Sequence, residues 1–234
     1  MKILIGMTRS DTVVSGSFKH ICQIGEKFRQ EGAEVIYAIG GNGEAIDKLR
    51  DSGFQVHALT GLKRDLSPIS DLLSLLKLVW LILAEKPQVC SWHTAKIGAL
   101  GRIAAMLTFK RSYYVPHGVP FVNTPENKGY EKYQLLEKTL SVLPSTIIGV
   151  CEFDKNEYLR IGVPDKKLLV IRNGMLGISN DNWQLSDDPV HFITAARFED
   201  QKDYATLAEA CQQLLADDKT FILSINGEGQ YEEQ

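Results

Sequence analysis

Short apolar runs rich in β-branched residues recur along the chain, and their continuity is the strongest constraint on the fold. They are KILIG (2–6), EVIYAIG (34–40), QVHAL (55–59), QVCSWH (88–93), SYYVPH (112–117), TIIGV (146–150) and LLVIRN (168–173). Most are apolar at successive positions rather than alternating, as in strands covered on both faces. Segments with helical spacing lie between them. Phe18, Ile21, Cys22, Gly25 and Phe28 form one stripe, and the small-residue segment AKIGALGRIAAML follows His93. Because strand and helix alternate, the spacing predicts a parallel sheet with right-handed crossovers, a Rossmann-like α/β layer.

After IRNGM the pattern gives way to LGISNDNWQLSDDPV, a polar stretch with the composition of a linker. A new unit then begins, with strand HFITAA, a helix from about Asp203 to Ala216, and strand TFILSIN followed by GEG. The chain therefore divides into a Rossmann-like domain over 1–176, a linker over 177–189 and, over 190–234, the opening βαβ of a second domain. Two strands and one helix bury too little of their own surface to stand alone.

Composition removes several function classes. A net charge of −3 and a pI near 6.0 give no electrostatic footprint for nucleic acid. The four cysteines, Cys22, Cys90, Cys151 and Cys211, form no CxxC pair, so they read as reduced, buried thiols and not as a zinc site or disulfide framework. The start MKILIGMTRSD has too short an apolar run for a signal-peptide core, which assigns the chain to the cytoplasm. The longest apolar run, Leu72 to Ala84 interrupted by Lys77, would reach roughly 20 Å as a helix against a bilayer core of about 30 Å. It is read first as a helix packed on the sheet. With Lys63, Arg64 and Lys86 it also offers a basic, apolar surface for peripheral contact with a membrane.

In an open parallel sheet, ligands bind beyond the carboxyl ends of the strands. After the first strand, Gly16 and Ser17 precede a helix whose free N–H groups suit an anion, although taken alone they read first as a simple turn and N-cap. GGNG after the second strand fails the dinucleotide spacing and is read as a turn. The fourth and fifth strands end in His93 and His117, two histidines at neighbouring strand ends, which favours a polar ligand pocket and falls short of a metal-site ligand count. Glu152 and Asn173 follow the sixth and seventh strands, and Glu152 is equally suited to open a helix. In the second unit Arg197 and Lys202 lie where a strand feeds a helix. A planar fork, a mobile point charge and helix N–H groups together suit a diphosphate.

These segments together resemble the GT-B glycosyltransferases of family 4, retaining sugar-nucleotide enzymes that build bacterial polysaccharides and glycolipids. VVSGSFKHICQIGEKFRQEGAEV is similar to the family's first loop and helix, with Ser15-Gly16 where Gly-Gly is common. SWHTAKIGALGRIAAML and VPHG resemble its histidine-bearing strand ends. VCEFDKNEYLRIGVPDKKLLVIRNGM resembles its next helix and I-x-N-G-V turn, with Cys151 at the usual serine and Met175 at the usual valine. ITAARFEDQKDYATLAEACQQLL is similar to the second-domain signature GRL-x-x-x-K, with Ala196 at the glycine.

The resemblance implies transfer of a sugar, with retained configuration, from a nucleotide diphosphate sugar to a polysaccharide or lipid-linked acceptor held on the first domain. No metal or other cofactor is implied. His117 would hydrogen-bond the donor sugar as the catalytic residue, Arg197 and Lys202 would hold the diphosphate, and Gly16 would let backbone approach the donor phosphates. His93, Glu152, Asn173 and Ser17 would complete a ligand pocket. The family's E-x7-E motif has no counterpart in the second unit, since the only such spacing is Glu26 with Glu34. The resemblance thus implies an enzyme cut within its donor domain and inactive by itself. The alternative is a non-catalytic half-protein that binds acceptor or pairs with a separate donor-domain chain. A nicotinamide dehydrogenase is disfavoured because the first strand–helix turn lacks GxGxxG.

Overall fold

The computed structural model describes residues 1–10, 13, 15–63, 65–121, 130–174, 189–198 and 202–229. They form two compact units, the first reaching Gly174 and the second taking in the described residues from Pro189. The linker assigned to 177–189 lies outside the described residues apart from Pro189.

The first unit runs β1 (Lys2–Met7), α1 (Gly16–Gln30), β2 (Glu34–Gly40), α2 (Glu44–Asp51), β3 (Gln55–Leu59), α3 (Pro68–Glu85), β4 (Val89–His93), α4 (Ala95–Leu107), β5 (Arg111–Val115), α5 (Tyr130–Leu140), β6 (Ser145–Gly149), α6 (Glu152–Arg160) and β7 (Leu168–Val170). All seven strands are parallel, in the order β3-β2-β1-β4-β5-β6-β7. Strand order reverses at β1, which pairs with β2 on one side and β4 on the other. The carboxyl ends of β1 and β4 therefore flank the topological switch point, the crevice in which such sheets hold ligands.

The continuous apolar runs are explained by burial on both faces. Ile3, Ile5, Tyr37 and Ile39 pack with Phe18, Ile21, Ile46 and Leu49 of α1 and α2, whereas Leu4, Ile36, Trp92 and Tyr114 pack with Leu78, Leu81 and Ile82 of α3 and Ile97 of α4. Small residues let α4 sit close to the sheet. A Cβ on Gly101 would lie 2.2 Å from Trp92 and one on Gly98 2.2 Å from Tyr114, distances inside any van der Waals contact. One charged pair is buried beside this helix. Arg102 of α4 donates to both oxygens of Glu137 of α5 at 3.0 and 2.9 Å, and its guanidinium lies 4.3 Å from the centre of the Tyr114 ring.

α3 has two apolar faces. Leu78, Leu81 and Ile82 are buried against the sheet, while Ile69, Leu72, Leu73, Leu76, Trp80 and Leu83 each remain more than half exposed. Among the described residues no helix is long and apolar enough to cross a membrane.

The second unit contains β8 (Val190–Ala195), α7 (Tyr204–Ala216) and β9 (Phe221–Asn226), with β8 parallel to β9. None of its described side chains is buried. Of the four cysteines, all free, only Cys90 is buried; Cys22, Cys151 and Cys211 are half-exposed, which corrects the reading of four buried thiols.

Candidate functional site

β1 and β4 are tied together at the switch point by threonines. Thr94 donates to Thr8 through their hydroxyls at 2.7 Å, and Thr8 Oγ1 accepts the Ile97 amide at 3.1 Å, which fixes the start of α4 to the end of β1. Thr94 takes φ +80° and His117 φ +57°. Such left-handed backbone costs of order 1–3 kcal/mol at a non-glycine residue and is concentrated at ligand sites. The Thr94 amide donates to the carbonyl of Val115 at 3.0 Å, holding the two strained turns side by side.

The histidines meet at this edge. His93, the last residue of β4, is fully buried, with Nε2 3.0 Å from Ser91 Oγ and Nδ1 2.9 Å from Nε2 of His117. The two rings are stacked, with centroids 5.2 Å apart and planes at 29°. β5 ends at Val115, so His117 stands in the following turn and not on the strand as the run SYYVPH suggests. A third histidine joins them. His20 of α1 places its ring edge-on to His117 at 5.0 Å and lies 5.6 Å from His93.

Burial pushes all three imidazoles below their ordinary range. His93 lies well below it, through burial and then the neighbouring His117 and His20; burial, then His20, holds His117 at about 4. Burial alone lowers His20. The cluster is therefore uncharged at neutral pH, and each ring offers one nitrogen lone pair and one N–H. A neutral imidazole such as the partly exposed His117 can donate to or accept from a hydroxyl without competing charge.

Other residues singled out in the sequence sit along the same edge or elsewhere. Gly16 opens α1 instead of preceding it. Ser15 is the N-cap, its Oγ accepting the Phe18 amide at 3.3 Å, and Ser17 Oγ lies 3.3 Å from Ser15 Oγ. A Cβ at Gly16 would meet nothing within 4 Å, so the space above this turn is open. Glu152 opens α6 after Cys151, matching its helix-opening reading. β7 ends at Val170, which leaves Asn173 exposed three residues beyond the strand. At roughly 4.8 Å per strand, the ends of β6 and β7 lie about 10 and 14 Å from β4. His93 and His117 are thus brought into contact, and Glu152 and Asn173 stand apart from them, beyond the ends of other strands of the same sheet. The GGNG segment is a turn leading into α2 with Gly43 as its N-cap.

A polar depression of about 430 Å³ adjoins the ends of β1, β2 and β3, lined by residues that include Arg9, Ser10, Asn42, Lys63 and Asp65. Sequence reading assigned it nothing, because its residues come from three separate turns.

In the second unit Arg197 is exposed two residues after β8, and Lys202 is exposed just before α7. Asp203 caps α7, accepting from Thr206 N at 3.2 Å and Thr206 Oγ1 at 2.8 Å. The described residues on either side of 199–201 are held by hydrogen bonds. Tyr204 donates to the Ala196 carbonyl at 3.0 Å, and the Phe198 amide to Glu228 O at 3.0 Å.

Residues 14–175 match the family model described as Glycosyltransferase Family 4. The capsular polysaccharide biosynthesis glycosyltransferase CapM of Staphylococcus aureus is 31% identical over 130 residues, covering 54% of this chain and 34% of that protein. The UDP-Gal:alpha-D-GlcNAc-diphosphoundecaprenol alpha-1,3-galactosyltransferase of Escherichia coli is 28% identical over 176 residues, covering 74% of this chain and 45% of that protein. The chain therefore spans less than half the length of these relatives. Anabaena HepE, solved with UDP and glucose, superposes with a TM-score of 0.69 at 16% identity over 99% of this chain and 62% of that one. A glycosyltransferase from Rickettsia africae does so with 0.69 at 14% identity, over 97% and 60%.

Proposed function

This chain belongs to Glycosyltransferase Family 4 and has the GT-B fold, and from that premise we propose that it serves transfer of a sugar, with retention, from a nucleotide diphosphate sugar to a polysaccharide or lipid-linked acceptor. The observation that carries the reading is the neutral His93–His117 pair at the switch point, where an open parallel sheet receives its ligand. In this reading His117 hydrogen-bonds the donor sugar, and His93 and Ser91 hold its ring. The diphosphate is already a good leaving group, so catalysis needs fixed positive charge where its negative charge grows. Arg197 supplies a planar fork, Lys202 a point charge and the start of α7 free N–H groups. Relatives named for a capsular polysaccharide and for a diphosphoundecaprenol acceptor support the acceptor class.

The reading also places the protein at a cytoplasmic membrane face. The exposed stripe of α3 carries Trp80 among leucines, with Lys63 and Lys86 exposed at its two ends, a combination that suits the boundary between headgroups and acyl chains. Arg64, counted with them in the sequence, lies outside the described residues. Pelleting with anionic vesicles at low salt, lost in Trp80→Glu and Leu76→Glu, tests this; a wild-type protein left in the supernatant overturns it.

Transfer by these 234 residues alone is slight in this account, because the described second unit buries no side chain and holds a donor loosely. Single-turnover transfer with protein in excess over labelled donor tests the chemistry. The product keeps the donor's anomeric configuration, and His117→Ala slows its formation by about 10- to 100-fold, the loss of one buried hydrogen bond. An inverted product, or a rate unchanged in His117→Ala, overturns the proposal. Multiple turnovers would contradict the loose-donor statement alone.

A further inference from the structure

Three histidines from three different elements converge in the first unit, and their ligand nitrogens all lie within 4.8 Å of one another. We propose that His20, His93 and His117 form a binding site for a divalent late transition ion of the Co²⁺ to Zn²⁺ class. This goes beyond the transfer reading and does not depend on it.

The geometry needs little change. Metal–imidazole bonds of about 2.0–2.1 Å set ligand nitrogens roughly 3.3 Å apart in a tetrahedron. Nδ1 of His93 and Nε2 of His117 stand 2.9 Å apart, so they separate slightly as the ion replaces their hydrogen bond. His20, half-exposed on α1, closes the remaining gap by turning its side chain inward. Three protein ligands then leave a fourth position for water or another small ligand.

The surroundings also suit a metal ligand. Ligating histidines usually engage a partner through the second ring nitrogen, which sets tautomer and orientation. His93 does so already: Nε2 faces Ser91 Oγ at 3.0 Å, and with the proton on Nε2, donated to that hydroxyl, the Nδ1 lone pair is directed at the cluster. In that tautomer His117 Nε2–H donates to the lone pair in the metal-free cluster, and loading requires only that His117 carry its proton on Nδ1. Three imidazoles without a carboxylate select late first-row ions over Mg²⁺ and Ca²⁺, which take oxygen ligands. An ion held here takes the place of the His93–His117 hydrogen bond.

Co²⁺ is the probe, because a nitrogen-ligated four-coordinate cobalt centre absorbs visibly. The purified chain, stripped with chelator, is titrated with Co²⁺ while absorbance and heat are recorded. The expected result is one ion per chain, displaced by Zn²⁺ and unaffected by excess Mg²⁺. His20→Ala and His117→Gln abolish the absorption, whereas His57→Gln and His191→Gln, outside the cluster, leave it unchanged. Ser91→Ala weakens binding about 10- to 100-fold by freeing the His93 ring. Absence of saturable one-to-one binding, or equal cobalt spectra in wild type, His20→Ala and His117→Gln, overturns the proposal. Circular dichroism of each variant separates a lost ligand from a lost fold.

Discussion

Replacing Arg102 with methionine tests how the first unit is held together behind its ligand edge. Arg102 and Glu137 are both buried, joined by two hydrogen bonds of 3.0 and 2.9 Å, and Arg102 also donates from Nε to the Gly98 carbonyl at 2.9 Å. Tyr114 adds its hydroxyl to Glu137 at 3.3 Å. Burial raises the Glu137 carboxyl above the usual range even with Arg102 pulling the other way. Arg102→Met leaves that carboxyl in a dry site with no counter-charge, a change that costs about 3–5 kcal/mol. For a domain of this size the melting temperature falls by about 6–20 °C. Arg102→Met/Glu137→Met removes both charges and fills the volume with apolar groups, so it recovers much of the loss. Urea denaturation followed by near-ultraviolet circular dichroism supplies the measurement. An Arg102→Met protein within about 1 kcal/mol of wild type, or a double variant as unstable as the sum of the singles, refutes the argument.

Further predictions concern packing and protonation. Gly101→Ala drives a methyl to 2.2 Å from Trp92, in the wall between α4 and β4, and destabilises the first unit by about 1–3 kcal/mol, read by the same denaturation. Gly16→Ala meets nothing within 4 Å and leaves stability within about 0.5 kcal/mol of wild type. Acid weakens the metal-free fold through the histidine cluster. Its rings are lowered in the folded state, His117 to about 4 from an ordinary 6.5, so the unfolded chain binds protons first. The stabilisation is complete above pH 6.5 and is lost as pH falls toward 4. His117→Gln flattens that part of the pH–stability curve; an unchanged slope contradicts the assignment.

The strands of the first unit were legible because burial on both faces leaves a run such as EVIYAIG with no alternation to confuse it. Ends were less legible. Val115 and Val170 close their strands earlier than SYYVPH and LLVIRN imply: Pro116 has no N–H to continue the first ladder, and after Ile171 bonds back to Gly149 the exposed Arg172 and Asn173 leave the second. His93 and His117 were readable as chemistry because one closes a strand and the other lies two residues past the end of its neighbour. His20 was not, since in FKHICQ it occupies a helical position between buried Phe18 and Ile21, and only the crossing of α1 over the sheet end brings it to the other two. The Arg102–Glu137 pair was hidden for a related reason: charged residues on predicted helices read as solvent-facing until the partner helix is placed. α3 packs on the sheet as first read, and one apolar helix has enough circumference to bury Leu78 and Leu81 and still expose Leu76 and Trp80.

The central claim is that this chain serves a nucleotide diphosphate sugar, and calorimetric titration of the purified protein with UDP-sugars, UDP and UMP tests it most directly. The account predicts that ligands carrying a diphosphate bind more tightly than the monophosphate. Arg197→Ala and Lys202→Ala each weaken the diphosphate ligands by about 10-fold or more, the loss of a charge-assisted hydrogen bond, and leave UMP less affected. Equal affinity for UMP and UDP, or diphosphate binding indifferent to both substitutions, contradicts it.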